Sequence, residues 1–274
     1  MIIIGRSLVL SAPAGSPSRG NPVIGWHNLV TASTVTADTT EPGYPARNLA
    51  NPSTTPLQSW QAADTTAQAL TASLSHVGDI DYVGLAGHNL GAAGIPVTIL
   101  GSADNGVTWS VLVEQTVLPD NTPALFWFEP QSLTDVQVAL GTGAEPARIA
   151  VMYIGKLLVM ERAMPAGLGF TATPYGRVSE TVNGRSESGD FLGRIVVNQR
   201  VESAVDFYMS RAFFREQFDP FLKAAVERPF FFAWAPTSYP RETGFVWLTN
   251  DPQPIYSFGS RLERLHLEYT GIVS

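Results

Sequence analysis

The sequence predicts an all-β protein: two β modules in tandem, with one packed helix in the second. Three observations carry this. From Trp26 to Ile154 short β-like runs alternate with Gly, Pro, Asn and Asp punctuation, and no 3.6-residue period persists over three turns. Residues 191–209 form a long strand, with Val201, Ser203, Val205 and Phe207 on one face and Arg200, Glu202 and Asp206 on the other. One apolar stripe has helical spacing, through Phe214, Phe218, Phe221, Leu222 and Ala225.

In chain order, residues 2–10 are an expected strand, and 11–22 a small-residue, Pro/Gly-rich loop. The strands of the first module are expected at 69–74, 82–86, 97–100, 124–128, 135–140 and 148–154. Residues 160–174 lack periodicity and are taken as a linker, which puts a boundary near 160. Beyond it, 177–182 is an expected strand with Asn183-Gly184 as its turn. Ser210 is placed to cap a helical turn, Asp219-Pro220 fits N-cap and N1 of a second, and Pro229 stops it, giving a helix at about 211–228. Strands follow at 230–234, 244–249 and 261–270. The chain thus divides into 1–21, 22–160 and 161–274.

The 274 residues carry 17 Lys and Arg against 24 Asp and Glu, a net charge of −7. Charged residues make up 15 %, below the roughly 25 % usual for soluble domains. Membrane insertion, disorder or a surface covered by partners would each account for that. The longest apolar runs, 149–154 and 230–235, fall far short of the roughly 20 residues that span a bilayer. Twenty-eight aromatic residues argue against disorder. A covered surface remains, with charge depletion expected to concentrate on the partner-facing surface of 161–274 and to be weaker on the outer sandwich. The acidic balance disfavours nucleic acid. Cysteine is absent, which removes disulfides, zinc thiolates and a Cys nucleophile. No basic residue precedes the first apolar run and Arg6 interrupts it, so no signal peptide is expected despite the A-x-A pattern at 12–14.

No catalytic constellation emerges. His27, His76, His88 and His266 lack metal-ligand spacing. The stretch 184–189 approaches G-x-S-x-G, but Ser188 stands where the second glycine belongs. Neither a phosphate loop nor an EF-hand is present, and no cofactor is expected; a structural calcium held by loop carboxylates is kept as an alternative. Loop-borne Trp26 and Trp60 could stack on a sugar, with His27, His88 and Asn89 as polar neighbours.

Over about 22–158 the chain resembles the galactose-binding, discoidin-like β-sandwich family. The resemblance rests on YPARNLANPST (44–54) with Ser59-Trp60, ALTASL (69–74) followed by IDYVGL (80–85), GSADNGVTW (101–109) and RIAVMYIG (148–155). The opening loop lacks the family's Asp-Gly. The whole chain also resembles tail proteins of long-tailed bacteriophages, through NGRSESGDFLGR (183–194), FDPF (218–221), PFFFAW (229–234) and LTNDP (248–252). That second resemblance implies a structural tail-tip protein and not an enzyme. Its 161–274 module would be tail-tube-like and form a ring, hexameric by analogy, between tube and tip or hub proteins. It would reside in the virion and be made in the host cytoplasm. A lectin-like adhesin gripping host surface glycan is the alternative, and a glycan-cleaving tail enzyme a weaker one.

Overall fold

The computed structural model of the chain describes residues 1–9, 16–75, 78–164, 169–256 and 262–272. Leu10, the A-x-A pattern, His76, part of the linker and Arg261 lie outside these.

The first module is a sandwich of two β-sheets. Its outer sheet runs in the order Val35–Ala37, Gln68–Ser73, Asp135–Leu140, Pro96–Ser102, Ser110–Val117, all antiparallel. Its inner sheet runs Ile2–Ile4, Ala124–Gln131, Ile80–Ala86, Val151–Gly155. Leu70, Val97, Ile99, Val136 and Val138 face Val83, Phe126, Phe128, Met152 and Ile154 across a dry core. Asn105 and Gly106 both have positive φ, 56° and 80°, within the loop 103–109 that joins Pro96–Ser102 to Ser110–Val117. The first strand is shorter than expected. Only Ile2–Ile4 pairs, parallel to Leu125–Trp127, and the chain then turns.

The second module is one eight-stranded sheet. Its path is Leu158–Val159, Val23–Gly25, Phe230–Ala233, Thr243–Leu248, Leu262–Gly271, Phe191–Ser210 and Arg177–Arg185, with Pro254–Tyr256 also on Leu262–Gly271. Two of these strands flank the sandwich in sequence and pair antiparallel with each other, Ile24 opposite Leu158. The chain therefore leaves this sheet and re-enters it at adjacent points.

Both inner layers are covered on two faces. Phe231 and Phe245 pack on the sandwich side with Tyr82, Trp127 and Tyr153. Phe230 and Phe232 point the other way, to Phe207, Phe218, Phe221 and Tyr269 beneath the helix. A run of three consecutive phenylalanines is therefore buried throughout, as a strand covered on both faces demands. The helical segment runs from Arg211 to Ala225 and includes one wide π-type turn at Phe214–Phe218. Ser210 caps it, its Oγ accepting from the Phe213 N–H at 3.2 Å. Asp219 lies inside the helix rather than at an N-cap and pairs with Lys223 at 2.6 Å.

The expected turn of the long hairpin is also corrected. Asn183-Gly184 is not the turn: both residues stay in the strand, opposite Arg194 and Gly193. The reversal falls at Ser186–Asp190, where the Asp190 carboxylate accepts from Ser186 and Ser188 hydroxyls. By composition, charge is sparser in the sandwich than in 161–274. Segment 22–160 holds 14 charged residues and 161–274 holds 25. A sheet buried on both faces has little room for charge.

The interface between the modules turns on Gly84. A Cβ there would come within 2.5 Å of the Phe231 ring. Gly84→Ala should therefore destabilise the protein by about 1–3 kcal/mol, although alanine ordinarily stabilises a strand. Gly84→Ala combined with Phe231→Leu should recover part of the loss. Denaturant midpoints of the two single variants and the double variant check this.

Candidate functional site

The five residues expected to contact a glycan do not come together. Trp60 is fully buried in the sandwich core, and its indole N–H donates to the Thr39 carbonyl at 3.0 Å. Trp26 is half-buried on the helix side, 6.3 Å from Phe221 by ring centroids. The carbonyl of His27 accepts from the Tyr82 hydroxyl at 2.6 Å, and its ring stands edge-on to Trp26. Asn89 clamps two backbone groups, donating to the Pro146 carbonyl at 2.9 Å and accepting the Arg148 N–H at 2.8 Å. His88 is 3 % exposed, and burial lowers its pKa to about 4, so the ring stays neutral. Short 3₁₀ turns at 46–50 and 56–58 fold Trp60 inward, and nothing in its local sequence marks that.

Two clefts open beside the junction of the modules. The first, about 540 Å³, is lined by Arg19, Asp81, Trp127, Glu129, Lys156 and Gln217 among others. Asp81 is buried there, accepting the Leu157 N–H at 2.7 Å. Desolvation pushes its carboxyl up to about 7, against the pull of that hydrogen bond, Lys156 and Arg19. Arg19 lies over the Trp127 ring at 5.5 Å and pairs with Glu129 at 3.3 Å. The second cleft, about 550 Å³, lies between Asn28, Thr31, Arg47, Asn51, Tyr153 and Arg228. Neither was legible in the sequence, because each gathers residues from both modules.

The largest unpartnered feature is an arm. Beyond Val201 the long strand leaves its neighbour Leu262–Gly271 and continues as Phe191–Arg200, paired only with Arg177–Arg185. At about 3.4 Å per residue those ten residues extend roughly 30 Å. Val182, Phe191, Leu192, Ile195, Val196 and Val197 are all more than half exposed on it. Val182 and Ile195 face each other on one side, and Val196 lies on the other. The second edge of Phe191–Arg200 has no strand partner among the described residues. Residues 177–202 hold four arginines and four carboxylates, so the arm is electrically balanced.

Among the described residues no three His, Asp or Glu side chains gather as a metal site would need. Ser188 bonds to Asp190 at 2.6 Å within the arm's turn.

No family model matches the chain, and no curated protein matches it. Solved structures do resemble it. Chitosan-binding module 1 of a chitosanase/glucanase from Paenibacillus sp. IK-5 is 21 % identical, over 47 % of this chain and 98 % of that one, with a TM-score of 0.41. The family 32 carbohydrate-binding module of Clostridium perfringens NanJ, solved with galactose, is 16 % identical over 48 % of this chain and 98 % of that one, at 0.39. Another Clostridium perfringens family 32 module, solved with GalNAc-β-1,3-galactose, is 16 % identical over 44 % and 93 %, also at 0.39. The likeness is one of β-sandwich fold and covers less than half of this chain.

Two outcomes follow from the buried groups. Trp60→Ala should cost about 3–5 kcal/mol of stability, read as a lowered denaturation midpoint, rather than act as a selective binding defect. Asp81 titrates well above its unfolded value near 4, so between about pH 4 and 7 the folded chain holds a proton that the unfolded chain has lost. Its contribution to stability therefore falls as pH rises through that window. Asp81→Asn, which keeps an acceptor for Leu157, should be more stable than the parent by roughly 2–4 kcal/mol near pH 8 and gain little near pH 4. Urea midpoints at the two pH values test this.

Proposed function

We propose that the chain is a structural protein that assembles head-to-tail with copies of itself through the 177–200 arm. The observation that carries this is the arm: a two-stranded ribbon with six exposed apolar side chains and an open strand edge. Such an edge is a template for strand addition. A second copy is the partner favoured by charge. The arm is balanced, and 161–274 as a whole holds 12 basic and 13 acidic residues, so copies meet there without repulsion. The 22–160 sandwich, with three basic and eleven acidic residues, would repel its own copies and belongs on the periphery.

The geometry favours a ring over a two-fold dimer. The arm leaves the sheet next to Val201 and Gly271, whereas exposed Ile255 sits near the other end of the same strand, opposite Arg264. Apolar surface at two opposite ends suits a heterologous contact, which closes into a ring when the rotation permits. Together with the phage-tail resemblance of the sequence, this favours a ring that joins tube to tip at a bacteriophage tail tip. The full-length chain should sediment as a multiple of 29.5 kDa. Ile195→Asp with Val197→Asp should give a folded monomer with an unchanged circular dichroism spectrum. A wild-type chain that stays monomeric at high concentration overturns the reading.

A second reading, contact with a glycan through the sandwich, has its own observation. The cleft at Asn28, Arg47 and Asn51 is large enough for sugar units and sets three asparagines and two arginines among small apolar side chains.

A further inference from the structure

The cleft between the loop 28–32, the turn 46–52, Tyr153 and Arg228 departs from the chemistry of the segment around it. That segment, 22–160, has three basic residues for eleven acidic ones. The cleft lining nevertheless includes two arginines and three asparagines, Asn28, Asn48 and Asn51, and no carboxylate. The first cleft, by contrast, includes Asp81 and Glu129. Arg47 comes from the sandwich and Arg228 from the turn after the helical segment in the other module, so only the fold places both on one cleft. Neither guanidinium has a carboxylate partner among the described residues, whereas Arg6, Arg19, Arg200, Arg211 and Arg264 each have one.

Several of the polar lining groups are held in place by hydrogen bonds. Asn28 Oδ1 accepts from the Val30 N–H at 3.0 Å and the Ile154 N–H at 3.2 Å, which fixes the carboxamide and leaves its NH₂ group uncommitted. Asn51 Oδ1 accepts from the Ser53 N–H at 3.1 Å. The Tyr153 hydroxyl donates to the Pro229 carbonyl at 3.1 Å, which ties the cleft wall to the residue after Arg228. Val30, Ala32, Ala50 and Pro52 supply small apolar patches.

A volume of about 550 Å³ exceeds what a lone inorganic anion fills and suits a ligand of one or two rings. The acidic sandwich around it repels an extended polyanion. We propose that this cleft binds a carboxylated saccharide, its carboxylate between Arg47 and Arg228 and its hydroxyls on Asn28 and its neighbours. This rests on the glycan reading and narrows it to acidic sugars. It makes the contact bridge the two modules, so that a bound sugar would brace the sandwich against the sheet.

The test uses the full-length chain, titrated calorimetrically with a uronic-acid trisaccharide, the matching neutral trisaccharide and inorganic phosphate. The uronate should bind at least tenfold more tightly than either other probe and weaken as salt is raised. Arg47→Gln and Arg228→Gln should each weaken it at least fivefold with unchanged denaturation midpoints. Equal binding of neutral and acidic sugars would overturn the selection for charge while leaving the glycan reading intact. Phosphate binding as tight as uronate binding would reduce the cleft to an anion site and overturn the saccharide. Uronate binding untouched by both substitutions would place the ligand elsewhere and overturn this site. No binding of any probe would overturn the proposal and its parent reading together.

Discussion

The Phe231 ring lies in the space that the missing side chain of Gly84 leaves open. The two central sheets of the molecule meet there, and the other layers are built outward from that meeting. Tyr153 and Phe245 stand around the same ring with centroids 5.6 and 4.8 Å away. Gly25 repeats the device in the opposite sense, since a Cβ on it would come within 2.9 Å of the Tyr82 ring. Each sheet thus carries a bare backbone position where the other presents an aromatic ring. Close-packed aromatic faces leave no room for water or charge, which is why charge is sparser in the sandwich.

Alternation and punctuation made most strands legible, because a strand with one buried face writes its period directly into the sequence. The strand Asp135–Leu140 and the polar and apolar faces of 201–207 follow that logic. The Ser210 cap was legible for the same local reason. Other features were not. The pairing of Val23–Gly25 with Leu158–Val159 links segments that have no sequence pattern in common. Asn183-Gly184 is a strong turn signal that the ladder overrides, because Arg194 donates to Asn183 at 2.8 Å across the strands and the serine-rich loop beyond closes the reversal instead. The site suffered most. Trp60 has the sequence context of a loop aromatic, yet it is at the centre of the sandwich core, while Arg47 and Arg228 carry no local signature at all.

Balanced charge and exposed apolar side chains distinguish the arm from the rest of the surface. Elsewhere the outward face of the long strands holds Asp206 between Arg264 and His266, each 3.1 Å away, an arrangement suited to water. On the arm the same strand changes character within a few residues. One continuous strand of twenty residues thus serves first as a lever outside the body and then as a wall of its core.

The chain crosses between the two modules repeatedly: Ile2–Ile4 in the sandwich, Val23–Gly25 in the large sheet, the sandwich again, then the large sheet to the end. This lacing sets an order in time. Ile2–Ile4 has its partner at Ala124–Gln131, and Val23–Gly25 lies between Leu158–Val159 and Phe230–Ala233. Both early strands therefore find their nearest partners more than a hundred residues further along the chain. Pairings so distant in sequence make folding slow, and the fold closes only when its last third has emerged.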